Sequence, residues 1–178
     1  MLLYLKLLLQ LFLAPRQGWE DISVDNLDPD ELARRGLYPL AGIAALSSFM
    51  TLVYHSGISI ASVFIAAIVR FGAYFAGYFI TIFALTTCMP RVSEEDAEAD
   101  QHEIKLFAVC MMGLMAIIGV IRNSLPSDFA IVNFLYLYLA IIMWRGKFFL
   151  RVAESKTVVF VILAVVSVIV PPLLIMML

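Results

Sequence analysis

Apolar residues run through this chain in long blocks, separated by short stretches rich in Arg, Asp and Glu. The first block, MLLYLKLLLQLFLA (1–14), sets Lys6 and Gln10 one turn apart on one helical face. As a helix it rises about 21 Å, short of the ~30 Å hydrocarbon core of a bilayer. Pro15, Arg16 and Trp19 follow at once, with Glu20 and Asp21 beside them. So abrupt a switch fits a helix lying in the membrane interface with its polar edge at the headgroups. Trp19 suits that boundary, and Lys6 and Arg16 are placed to meet lipid phosphate. Two other placements compete. Residues 1–22 could pack on the other helices of a bundle. They could also be a cleaved signal peptide, but no charge precedes the apolar run and the exit is Leu13-Ala14-Pro15.

The polar stretch LDPDELARRGL (27–37) carries the signals of a short helix. Asp28 is placed as N-cap, Pro29 at N1 and Glu31 as the partner in a capping box, with Leu27 and Leu32 as a hydrophobic staple. Arg34 and Arg35 complement the negative end of the dipole and are further candidates for lipid contact, and Gly36 supplies a C′ stop.

Five apolar segments come next, at 39–55, 58–88, 104–121, 125–144 and 157–178, behind an N-terminal segment of 1–38. Each is long enough to span with tilt or snorkelling at its ends. The expected fold is all-α: a polytopic bundle of five transmembrane spans plus an N-terminal interfacial helix. The second segment would rise about 46 Å as one straight helix, so it tilts, projects, or breaks near Arg70.

Composition agrees with this pattern. Of 178 residues, 63% are hydrophobic and 15% charged, with mean hydropathy +0.98. Soluble domains are closer to half apolar and a quarter charged. The net charge of −2 and the scattered bases leave no nucleic-acid footprint. With the N-terminus in the cytosol, ten of the 12 Lys and Arg fall on the cytosolic side, Arg122 falls outside, and Arg70 lies in the membrane. That places the C-terminus outside and the protein in a cell membrane, the inner one if the source is bacterial.

Arg70 is the most informative polar residue, because a charge within a span is costly and usually faces a bundle interior or a cavity. The second segment holds no acid to neutralise it. Asn133 and Tyr136 enter the fourth segment from the same side, so Arg70 is expected to bond Asn133, lie against Tyr136, or reach outward to a lipid phosphate. Gly72 with Ala76, and Ala73 with Gly77, have the small-xxx-small spacing of close helix packing, and Gly113, Ala116 and Gly119 mark a similar face on the third segment.

No catalytic motif is present: there is no HExxH, no GxSxG and no GxxxxGK[ST]. No pair of acids lies in the spans, and no acid lies at the middle of any. The run RVSEEDAEADQHEIK (91–105) offers Ser93 and Asp96 at capping-box spacing. A metal site from Glu94, Glu95, Asp100, His102 and Glu103 is weaker than a solvated acidic face. Cys88 and Cys110 read as small apolar residues, not as a disulfide or metal ligands. His55 reads as an ordinary residue of the outer boundary. No cofactor, metal or catalytic residue is expected.

These features together resemble the Yip1 family of five-span membrane proteins. The resemblance rests on LFLAPRQGWEDI (11–22), which is similar to the N-terminal pattern of bacterial members. It rests also on LYPLAG (37–42), similar to the family's Leu-Tyr-Gly-Pro stretch but lacking that glycine, and on the five-span layout. The resemblance implies roles through association. Eukaryotic members act in vesicle traffic, contact Rab-type GTPases and form hetero-oligomers in Golgi and endoplasmic reticulum membranes. About 38 residues precede the first span here, so the GTPase role of the longer N-terminal region does not carry over. The family supplies no catalytic residues to transfer.

The leading expectation is a non-enzymatic adaptor or scaffold that packs with itself, lipids or partner proteins. The alternative is a small transporter or lipid-handling protein with a polar cavity around Arg70. A space between helices that reaches Arg70 separates the two, because an adaptor needs none.

Overall fold

The computed structural model describes residues 1–25, 27–54, 57–93, 100–126 and 131–177. Among these the chain is helical, with no strand and one isolated antiparallel bridge between Ser93 and Val152. Helix α1 (Leu2–Leu13) breaks at Ala14, because Pro15 lacks an N–H and disfavours a helical residue before it. Pro15 then opens α2 (Pro15–Val24). The Gln10 amide bonds the Asp21 carboxylate across the break.

Asp28 caps the next helix as expected, its carboxylate accepting from the Asp30 N–H at 3.0 Å. Glu31 closes no capping box; it pairs with Arg35 one turn on, at 3.0 Å. The helix does not stop at Gly36. It continues as one 26-residue rod, α3 (Pro29–Tyr54), through the expected 38/39 boundary. Pro39 cannot donate to the Arg35 carbonyl, and a π turn over Ala33–Leu37 absorbs the mismatch.

Helix α4 (Ile60–Cys88) runs unbroken through Arg70 for 29 residues, about 43 Å. Its N-cap is Ser59, whose hydroxyl accepts from the Ser62 N–H. Helix α5 (Gln101–Ser124) begins at a capping box of Asp100 and Glu103. Asp96, the expected partner of Ser93, lies outside the described residues, as do Glu94, Glu95 and His55. Helix α6, described over Ile131–Arg145, has 15 residues there and rises about 22 Å; residues 127–130 of the expected 125–144 segment lie outside the described residues. Helix α7 (Thr157–Met177) completes the chain. Among the described residues four helices are long and apolar enough to cross a membrane: α3, α4, α5 and α7 with the short turn before it, while α1 and α6 are shorter apolar helices over their described lengths.

Helix α5 is the centre of the bundle. From Leu106 to Ala116 every residue is buried, so no face of this stretch meets the surroundings. Helices α4 and α7 pack antiparallel beside it. A Cβ on Gly77 would lie 2.7 Å from Pro172 Cγ, so only glycine admits this approach. Pro171 cannot bond the Ser167 carbonyl, and the Thr81 hydroxyl of α4 donates to it instead at 3.0 Å. The starts of α3 and α5 and the loop before α7 meet at one end, where Lys105 pairs with Asp30 at 3.2 Å and Arg151 with Glu103 at 2.8 Å.

Helix α1 is packed into this bundle, as the competing placement required. Tyr4, Leu7, Leu8 and Leu11 are buried, while Leu2, Leu3, Leu9 and Leu13 stay exposed. Its amphipathic pattern thus has an apolar face on the protein and a second apolar edge turned away from it.

Candidate functional site

The Arg70 side chain leaves α4 half-buried and donates from Nη1 to the Ser48 hydroxyl at 2.9 Å. Ser48 stands in a 3-10 stretch of α3, Ser47–Met50. The neighbouring Ser47 hydroxyl accepts from Asn123 Nδ2 of α5 at 2.8 Å and donates to the Ala44 carbonyl at 2.7 Å. Consecutive serines thus tie α3 to α4 and to α5 at one level. Buried polar groups in an apolar bundle need such partners.

Beside this network is a cavity of about 600 Å³. Its polar lining includes Arg70, Arg122, Asn123, Tyr54, Tyr74 and Tyr136, and its apolar lining includes Leu125, Leu173, Met176 and Met177. The Tyr54 hydroxyl is engaged, donating to the Ser124 carbonyl at 3.2 Å. Tyr74 is buried, and its hydroxyl lies against Gly119. Arg122 is exposed at the mouth. Among the described residues no carboxylate lines the cavity; Asp128, just past its rim in sequence, lies outside them.

The structure brings Arg70 and Tyr136 to one cavity but not Asn133. Asn133, in the described part of α6, is exposed and lines no part of the cavity. The partner of Arg70 is Ser48, and the second cation is Arg122. In sequence Ser48 is one unremarked serine of an apolar segment and Arg122 reads as an outside base; what sequence lacked was the depth at which each helix meets its neighbours.

The other expected positions divide. Lys6, Arg16, Arg34 and Arg35 are exposed, with Arg16 paired to Glu20 at 3.0 Å. Trp19 is 3% exposed, so it is not the wet boundary residue expected. Its N–H donates to the Ile142 carbonyl at 3.0 Å, and its ring stacks on Phe107 and Phe149 at centroid distances of 5.3 and 5.1 Å. A backbone carbonyl near the end of α6 satisfies the indole as water would have done. Ala73 and Gly77 are buried in the bundle, whereas Gly72 is exposed, with open space where a Cβ would stand. Ala76 is intermediate. Cys110 is buried and Cys88 half-buried, both as free thiols. Among the described residues no group of three His, Cys, Asp or Glu could hold a metal ion.

Four apolar helices of spanning length, gathered around a charged cavity, fit a multi-pass membrane protein. No protein-family model, curated protein or solved structure matches the chain.

Proposed function

We propose that the chain is a non-enzymatic multi-pass membrane protein that holds a lipid or anionic ligand in the cavity at Arg70. One observation carries the reading: a space of about 600 Å³ between helices reaches that half-buried guanidinium. A protein acting by helix packing alone has no use for such a space. A charged group at this depth is costly to retain, and a bound anion offsets the cost. In the same reading α6 is the fifth crossing, the basic end faces the cytosol and the Arg122 end faces outward, in a cell membrane.

A second reading is an adaptor of the Yip1 kind, working through association with its own copies or other membrane proteins. The exposed Gly72, one turn from Ala76, favours it. Mild extraction with native lipid, followed by mass spectrometry of what co-purifies, separates the two. A small amphiphile retained by the wild type and lost from Arg70→Gln supports the ligand-handling reading. A stoichiometric protein partner with no bound small molecule supports the adaptor.

A further inference from the structure

We infer that the cavity recognises the phosphate group of a membrane lipid, gripped between Arg70 and Arg122. This rests on the ligand-handling reading and adds the chemical class of the ligand.

The argument starts from charge. A guanidinium stays protonated in proteins, so Arg70 brings a permanent cation into a half-buried position. Its hydrogen-bond partner among the described residues is a neutral hydroxyl, Ser48, which satisfies one N–H, and no carboxylate among the described residues lines the cavity beside it. Arg122 adds a second cation to the same lining. Guanidinium forks match the planar spacing of phosphate and carboxylate oxygens. Two of them on one cavity suit the group with more oxygens and more charge, which is phosphate.

The neutral lining points the same way. Tyr74 and Tyr136 bring phenolic hydroxyls, which can donate to a phosphate oxygen without adding charge. Part of the lining is of another character: the side chains of Leu173, Met176 and Met177 of α7 offer no donors. Inorganic phosphate would leave that part in contact with water. A phosphate carried on an apolar glyceride body suits both kinds of lining at once, and the volume lies within the ~300–1,000 Å³ usual for ligand sites.

The test uses the full chain in neutral nanodiscs, with dioctanoyl phosphatidate, dioctanoylglycerol, octanoate and inorganic phosphate as probes in calorimetry or native mass spectrometry. Phosphatidate is expected to bind, and dioctanoylglycerol and octanoate to bind at least tenfold more weakly. Arg70→Gln and Arg122→Gln are each expected to weaken phosphatidate binding about 10- to 100-fold, as for a lost charge-assisted hydrogen bond. Arg122 is exposed, so its variant reports on binding even if Arg70→Gln fails to fold. Inorganic phosphate binding as tightly as phosphatidate would show a free-anion site and overturn the lipid assignment. Equal binding of octanoate or dioctanoylglycerol, or indifference to both substitutions, would overturn the phosphate assignment. A co-extracted ligand without phosphate would overturn this inference alone and leave the ligand-handling reading standing.

Discussion

The Tyr4 hydroxyl donates a 2.7 Å hydrogen bond to the Val109 carbonyl, joining the first helix to the middle of the central one. The Tyr4 ring fills space that a side chain at Gly36 or Gly113 would occupy. The N-terminal helix is therefore keyed into α3 and α5 and does not merely rest near them. Tyr4→Phe should destabilise the detergent-solubilised protein by about 1 kcal/mol. Tyr4→Ala should cost about 3–5 kcal/mol, as for other buried aromatic truncations. Thermal unfolding reads both, and unchanged transitions would mean that α1 contributes no packing.

Trp19 gives an optical check on the same region. It is buried between two phenyl rings, whereas Trp144 is 41% exposed. In a Trp144→Phe background, Trp19 emission should be blue-shifted and should resist iodide. Trp19→Phe keeps the ring packing and loses the bond to the Ile142 carbonyl, a change of about 1 kcal/mol. Red-shifted, readily quenched emission would return Trp19 to the wet boundary.

The small residues of α4 should respond in opposite ways. At Gly77 an added methyl meets Pro172 and Met112. Gly77→Ala should cost about 1–3 kcal/mol by overpacking. At Gly72 a methyl meets nothing within the chain, so Gly72→Ala should be neutral or stabilise by up to about 1 kcal/mol through helix propensity. Equilibrium unfolding of the two variants side by side tests this. Marked destabilisation of Gly72→Ala at low protein concentration would contradict the packing described.

The crossing by α6 can be tested by sidedness. Ser124 and Glu154 flank that helix and are both exposed. With five crossings, Ser124→Cys labels with an impermeant maleimide on intact cells, and Glu154→Cys labels only after permeabilisation. Labelling of both from one side would mean that α6 does not cross.

Much of the architecture could be read from the chain because lipid leaves few choices. The apolar blocks become helices, and Asp28 caps where its spacing to Pro29 and Asp30 requires. What escaped depends on tertiary geometry. Gly36 looks like a stop, but its missing side chain serves the approach of Tyr4. Trp19 looks like a boundary anchor, and only folding brings the Ile142 carbonyl to its N–H. Arg70 stood out as a charge without an acid, yet choosing Ser48 over Asn133 required knowing how α3 and α4 pack. Arg122 looked like an ordinary outside base until α4 and α5 brought it into the lining of the cavity that also holds Arg70.

Solvent access at the depth of Arg70 tests the central claim most directly. Tyr74 and its neighbour Ala73 are both buried at the same depth, but only Tyr74 lines the cavity. In a Cys88→Ser background, with buried Cys110 as the internal control, Tyr74→Cys and Ala73→Cys are exposed to a charged, water-soluble thiol reagent. The account predicts that Tyr74→Cys and the shallower Thr51→Cys react readily, while Ala73→Cys stays as protected as Cys110. Equal protection at positions 73 and 74 would mean that no open space reaches Arg70, and a ligand-handling role there would be contradicted.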